Sequence, residues 1–407
     1  MHVIFVEPRF PAYQRNFVRA LAEVGAKVTG IGEAPVEALG DQLRGWLHAY
    51  EQVRSVVDEA AMTEAVRRIQ RREWVDRLEC TIEAHILPVA KVREACTIPG
   101  TTVKTAWLCR DKPAMKDVLR AAGVPTARST GADDAATVRR FAKEVGYPLI
   151  VKPRSAAGAS GTVRVDDDAA LERAIAATDF AHGGSVAVEE FIEGHEGFYD
   201  TLSIGGKVVH EFVSHYYPGV LEAMRTRWIS PQILTTNRVD APGYSELKVM
   251  GQNVITALGI GTSATHMEWF YGPKGLKFSE IGCRPPGVGV WDLYCAANDF
   301  DLYREWAHAV VHGRPFTPPS RRFTAGMIAL RPDRDGRIVG YEGVEEVYKK
   351  YGPAIIDGHF PPPGTPTQPV EAGYMANAWM RVRHPDYDAC HSILNDIGRT
   401  VRVRAQA

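Results

Sequence analysis

Two glutamates twelve residues apart carry the first chemical signal in this sequence. Glu268 and Glu280 lie in HMEWFYGPKGLKFSEIGCRPPG, where two runs rich in aromatic and β-branched residues flank Gly-Pro-Lys-Gly. That pattern predicts a β-hairpin with a short loop. With the loop centred on Lys274, Glu268 falls opposite Glu280, their Cβ atoms roughly 4.5–5.5 Å apart. Like charges that close destabilise a hairpin unless a cation lies between them. Mg²⁺, with Mn²⁺ as an alternative, suits the position, because one or two carboxylates hold it while phosphate oxygens and water complete its shell. Strand alternation assigns His266, Phe270, Phe278, Gly282 and Arg284 to the same face, which brings Arg284 near the metal. A solvated surface hairpin is the competing reading. Met267, Trp269, Phe278 and Ile281 around the acids argue instead for a buried sheet, where unpaired carboxylates are costly.

Two lysines add the charge that a phosphate chain needs. In RDKPAMKDVLRAAGVPTARS, Asp111 caps a helix with Pro113 in its first turn, and Gly123 and Pro125 end it. Lys112 therefore sits at a helix start. In GYPLIVKPRSAAGASG, Lys152 interrupts an apolar strand, and lysine is rarely buried without an anionic partner. The loop that follows is made of small residues, among them Ser155, Gly158, Ser160 and Gly161. Its backbone N–H groups are able to close over phosphate oxygens, although it lacks the G-x-x-x-x-G-K-[ST] pattern of a P-loop. Further on, SVAVEEFIEGHEGFYD begins as a strand and breaks into acids and glycines. Extended backbone over Glu190, Phe191 and Ile192 offers a carbonyl and an N–H to an adenine edge, and Glu196 or Glu193 offers a carboxylate to a ribose. Arg225 and Arg227, among aromatics in HYYPGVLEAMRTRWIS, read equally as a clamp for a carboxylate or phosphate and as a solvated loop.

The chain that must position these groups has 407 residues, 45% hydrophobic and 24% charged, the balance of a soluble protein of two or three domains. A formal net charge of −1 points to neither nucleic acid nor an anionic membrane. No apolar run approaches the ~18 residues of a membrane span. The N-terminus MHVIFVEPRF lacks the basic start of a signal peptide, and six scattered cysteines without a C-x-x-C pair suit a reducing compartment, so the expected location is the cytoplasm. Residues 2–6 and 27–32 read as strands around a helix over 11–24, a βαβ unit of an open α/β domain covering 1–105. The first turn, EPRFPAYQ, has no glycine for a dinucleotide pyrophosphate, which rejects nucleotide binding there and weakens an oxidoreductase reading. Residues 245–258 have helical periodicity. DLYCAANDFDLYREWAHAVVHG reads as one amphipathic helix buttressing the hairpin, residues 321–347 as further strands, and residues 373–398 as a strand followed by a closing helix.

In this order the blocks resemble the ATP-grasp superfamily, particularly its carboxylate–amine ligases and, toward the C-terminus, its biotin-carboxylase-like ligases. The residues that carry the likeness are Asp111-Lys112 with Gly123-Val124-Pro125, Lys152 with its small-residue loop, Val188 to Ile192 with Gly194 and Glu196, and Glu268, Glu280 and Arg284. The resemblance implies an α/β and α+β chain in three parts. These are an N-terminal open α/β (pre-ATP-grasp) domain over 1–105, an ATP-grasp domain of two ATP-clasping subdomains over 106–315, and a small C-terminal α+β domain over 316–407. It implies that Lys112 and Lys152 hold ATP phosphates, that Glu189 to Ile192 take the adenine, and that Glu268 and Glu280 bind Mg²⁺. One departure stands out: the family often places asparagine two residues after the second acid, where this chain has Gly282.

The implied reaction phosphorylates a substrate carboxylate with ATP. An amine then attacks the acyl phosphate, with Arg284 steadying the oxygens and no covalent enzyme nucleophile. The expected substrates are a small carboxylate and an amine, amino acids by family analogy, with Arg225, Arg227 and His266 as substrate contacts. Activation of bicarbonate or a nucleotide-precursor acid, and a nucleotide-binding regulatory protein with a degenerate site, are the alternatives. Oligomeric state is unassigned, a homodimer being one option.

Overall fold

The computed structural model describes residues 1–154, 161–374 and 376–407. Ser155, Gly158 and Ser160 of the small-residue loop therefore lie outside the described residues. Gly161, the last glycine of that loop, is described, with a φ of +70°.

Near the N-terminus, the short all-buried strand His2–Val6 pairs in parallel with Lys27–Gly32 and with Arg77–Glu79, and Ala49–Gln52 completes a four-stranded parallel sheet. Helix Gln14–Glu23 buries Phe17, Val18 and Leu21 beside it, as its apolar spacing dictates. Asp111 caps helix Lys112–Ala121 by accepting from Ala114 N–H.

Two antiparallel sheets follow. The smaller has the order Ser129–Ala132, Val186–Glu190, Leu149–Pro153, Val163–Val165, and packs on helices Ala135–Val145 and Asp168–Ala177. The larger has eight strands. Its order runs Gly275–Gly282, Ser263–Gly272, His195–Ile204, Lys207–Tyr217, Gln232–Thr235, Thr324–Leu330, Ala378–His384, Ile355–His359. The last three come from the C-terminal third of the chain, so that part extends the sheet that carries the acidic hairpin. Arg337–Glu342 and Arg402–Gln406 form a separate two-stranded ribbon.

The hairpin has a closer turn than a loop centred on Lys274 would give. Gly272 pairs with Gly275 around Pro273-Lys274, which by itself would place Glu268 opposite Ser279. A β-bulge at Ser279 shifts the register by one, so Glu268 faces Glu280 and His266 faces Gly282. The tight turn itself sets Phe278 opposite Trp269, so across the bulge Phe278 and Glu280 lie on opposite faces, contrary to simple alternation. Phe278 instead packs in the core with Met267, Trp269 and Ile281, and its backbone N–H donates to Pro125 O at 2.8 Å. Helix Ser245–Leu258 covers that reverse face. A Cβ at Gly251 would lie 2.3 Å from the Tyr199 ring, so only glycine allows the helix to come so close.

The expected single helix after the hairpin is two, Val290–Asn298 and Leu302–His312. Asp299 adopts a left-handed conformation between them, and Asp301 caps the second by accepting from Arg304 N–H. They pack on the middle of the large sheet and on the N-terminal helix, where Phe17 meets Trp291, Tyr303 and Trp306. Residues 321–347 hold two strands and then the start of helix Val344–Tyr351. All six cysteines are free thiols and five are buried. Among the described residues no helix is long and apolar enough to cross a membrane.

Candidate active site

The face of the large sheet that carries Glu268 and Glu280 also carries Glu196, Phe198 and Asp200, because Phe270 pairs with Glu196, Glu268 with Phe198 and His266 with Asp200. Period-two alternation on three neighbouring strands thus collects four carboxylates. Glu196 is buried and accepts from Val220 N–H at 2.7 Å. Burial first, and then the charge of Glu268, push its carboxyl up to about 8. Asp200 binds His266 Nδ1 at 2.7 Å and accepts from the Tyr294 hydroxyl. His266 Nε2 lies 3.7 Å from Glu268. Burial disfavours the imidazolium, but Asp200 and Glu268 outweigh it and hold the pKa of His266 up at about 9. In turn burial works against ionisation of Glu268, yet His266 and Lys152 keep its carboxyl below its ordinary value.

Lysines approach this face from the other side. Lys112 Nζ is 3.4 Å from Glu280. Lys152 reaches Glu189 Oε2 at 3.0 Å, and Lys116 approaches Glu189 Oε1 at 2.6 Å. Lys116 is 1% exposed. Burial lowers its pKa to about 8, with Glu189 opposing. Glu189 answers in kind: burial favours its neutral form, but the two ammonium groups hold it down at about 2. Arg284 sits at the end of the hairpin, its Nε donating to Glu83 Oε2 at 2.9 Å, while Arg110 donates to Glu83 O at 2.6 Å. The sulfurs of Cys109 and Cys283, 3.0 Å apart, join the lead-in to Lys112 with the residue before Arg284.

Of the expected site residues, the structure brings together Lys112, Lys152, Glu189, Glu196, Glu268, Glu280, His266 and Arg284. Glu190 accepts from Arg128 N–H and pairs with Lys274 Nζ at 3.1 Å. Phe191 carries Arg164 over its ring at 4.3 Å, and its N–H is taken by Pro148 O. Ile192 N–H has no hydrogen-bond partner among the described residues. Arg225 and Arg227 stand apart. Arg225 is exposed, Arg227 pairs with Asp335, and among the described residues neither contacts the acids. Sequence reasoning passed over Lys116, Asp200 and Glu83. Lys116 lies one helical turn after Lys112 and Asp200 shares strand parity with Glu196, both readable signals. Glu83 had none, since it is 201 residues from its partner Arg284.

A divalent cation fits this arrangement. Burial raises the Glu196 carboxyl most, and the charges of Glu268 and Glu280 add to it, so a cation beside these acids would be favoured. Among the described residues no three His, Cys, Asp or Glu side chains form a ready-made cage. Mg²⁺ needs none when phosphate oxygens and water fill its shell. A Cβ at Gly282 would lie 3.1 Å from Glu83 Oε2, so a side chain there would have to push the Glu83 carboxylate aside by a few tenths of an ångström.

Lys152 of the smaller sheet, with Lys112 and Lys116 of helix Lys112–Ala121, thus stands against the acid-bearing face of the larger sheet. Residues 117–300 match the ATP-grasp domain model. The fold agrees along its length: the L-amino acid ligase from Bacillus licheniformis superimposes with a TM-score of 0.77 at 20% identity, covering 100% of this chain and 99% of that one. Residues 117–300 thus resemble an ATP-grasp domain, and the fold of the whole chain is that of ATP-grasp enzymes. An uncharacterised protein, y4rH, of Sinorhizobium fredii is 28% identical over 293 residues, 70% of this chain and 59% of that protein. The L-arginine-specific L-amino acid ligase of Bacillus subtilis is 26% identical over 314 residues, 75% of each chain. The chain thus spans less than two thirds of the first of these relatives and three quarters of the second.

Proposed function

We propose that the protein is an ATP-dependent, ADP-forming carboxylate–amine ligase that makes an amide or peptide bond through an acyl phosphate, with amino acids as substrates. The observation that carries this reading is the convergence of Lys112, Lys116 and Lys152 on Glu189 and Glu280 beside the facing pair Glu268 and Glu280. The likeness to an L-amino acid ligase over 75% of the chain supports it.

Glu268 and Glu280 would hold Mg²⁺, which supplies neutralising charge to the phosphate oxygens when bound. The lysines orient the triphosphate and offset its charge, Lys152 and Lys116 being themselves held in place by Glu189. Glu190 to Ile192 present backbone to the base, and the Phe270 ring, on the face of the acids, offers it an apolar surface. A substrate carboxylate oxygen attacks the γ-phosphorus, the bond to the ADP oxygen breaks, and an acyl phosphate forms. Arg284, fixed by Glu83, steadies the acyl oxygens. An amine then attacks the carbonyl carbon and inorganic phosphate leaves. His266 is the substrate contact favoured by position, while Arg225 and Arg227 are better placed for the C-terminal part of the fold.

The test is ADP and phosphate release from Mg-ATP across amino acids offered singly and in pairs, with bicarbonate in a parallel arm and Glu280→Ala beside the wild type. Turnover that needs both an acid and an amine and is lost in the variant is the expected result. Turnover with bicarbonate alone would replace the ligase by a carboxylating enzyme, and ATP binding without turnover would favour a regulatory protein.

A further inference from the structure

On the reverse side of the strand that carries Glu196 lies an open cleft of ≈ 250 Å³, lined by His195, His215, Tyr217, Thr236, Arg238, Tyr244 and Tyr387. His195 immediately precedes Glu196, so alternation turns it away from the acids. We propose that this cleft binds a small molecule of one chemical class, an uncharged planar aromatic heterocycle of one or two rings.

The lining supports that chemistry. His195 Nε2 meets His215 Nδ1 at 2.9 Å, His215 Nε2 meets the Tyr244 hydroxyl at 2.8 Å, and the hydroxyls of Tyr217 and Tyr387 are 2.8 Å apart. These bonds fix the rings, so the cleft presents rigid aromatic faces and edges. Rings stand at several angles around it: His215 and Tyr387 at 83°, His195 and Tyr217 at 45°, and His215 and Trp269 at 89°. Such walls favour offset and edge-to-face contact with another flat ring. Two hydroxyls that share one hydrogen bond leave one proton over, a donor for a ring nitrogen.

Charge is absent or compensated. Burial, with His195 and His391 nearby, lowers the pKa of His215 to about 3, so its ring is neutral. Arg238, which lines the cleft with its guanidinium 5.2 Å from the centre of the Tyr387 ring, is held by Asp388 at 3.1 Å and Asp386 at 3.5 Å, which offsets its charge. The volume lies just under the range for drug-sized ligands, roughly 300–1,000 Å³, which sets the limit of one or two rings. Tyr387 belongs to helix Tyr387–Thr400 of the C-terminal third, so an occupant would bridge that helix to the strand bearing Glu196.

Isothermal titration of the full-length protein with indole and with benzimidazole tests the proposal, each with and without saturating ATP. One-to-one saturable binding of at least one probe is expected, changed less than twofold by ATP and weakened at least tenfold in Thr236→Phe, which fills the cleft, and in His215→Gln. Circular dichroism checks that both variants fold; should Thr236→Phe fail, His215→Gln decides. No saturable binding of either probe, displacement by ATP, or unchanged affinity in a folded variant would each overturn it.

Discussion

The carboxylate of Glu83 crowds the space in which a side chain at residue 282 would stand, 3.1 Å from the Cβ that Gly282 lacks. The same oxygen accepts from Arg284 Nε at 2.9 Å. Asparagine at 282 would therefore have to displace the group that fixes Arg284. Gly282→Asn should lower kcat about tenfold to a hundredfold through misplacement of Arg284 while leaving ATP affinity within a few-fold. In Glu83→Ala/Gly282→Asn the obstacle is gone, and the loss should be smaller than the product of the two single losses. ADP-release kinetics beside ATP titration calorimetry measures both quantities. A multiplicative double variant would show that the two residues act independently.

Glu189 stands between two buried ammonium groups, Lys116 and Lys152. Glu189→Gln would leave both without their counter-charge and should cost about 3–5 kcal/mol at neutral pH, as breaking a buried pair does. The sign with pH follows from its folded value of about 2, held below an unfolded value of about 4. A carboxyl depressed on folding adds stability above its unfolded pKa and loses it as pH falls through the folded one. Urea unfolding at pH 7, 5 and 3 should show the gap between wild type and variant narrowing between pH 4 and 2. A gap that stayed constant would mean that folding does not shift the Glu189 pKa, and one that widened as pH fell would mean that the carboxyl is neutral in the fold.

Removing one carboxylate of the hairpin should weaken metal binding and relax its neighbour. In Glu268→Gln or Glu280→Gln, Mn²⁺ affinity in the presence of ADP, followed by electron paramagnetic resonance, should fall at least about tenfold. Chelation with EDTA should stop ADP release by the wild type. In Glu268→Gln the Glu196 carboxyl, whose value near 8 comes from burial and then from Glu268, should titrate lower by carbon NMR. Burial remains, so it should return only part of the way to the ordinary range.

Lys274 at the tip of the hairpin reaches Glu190 at the end of a strand of the smaller sheet, 3.1 Å away. The lysine is 57% exposed, so Lys274→Ala should change stability by less than about 1 kcal/mol. Because the pair ties the sheet that bears Lys152 to the one that bears the acids, KM for ATP should rise a few-fold with kcat unchanged. Added salt should mimic part of that rise in the wild type and none of it in the variant.

Local rules made much of this protein legible from its residues. Apolar runs and their periods located the N-terminal βαβ unit and helix Ser245–Leu258, and Asp111 with Pro113 set the start of the Lys112 helix. The pairing of Glu268 with Glu280 was legible too, but only because the bulge at Ser279 offsets a turn one residue tighter than expected; that tighter turn set Phe278 on the other face. The break at Asp299 was missed because aspartates that cap a helix read, within an amphipathic pattern, as its polar face. What tertiary structure alone decided are the meetings of distant segments: Lys116 and Lys152 on Glu189, Asp200 behind His266, and Glu83 against Gly282 and Arg284. Turn chemistry, caps and alternation act over a few residues and leave their marks in order along the chain. Charge compensation in a buried site acts through space, so its partners are named only once the sheets and helices of the whole fold have packed together.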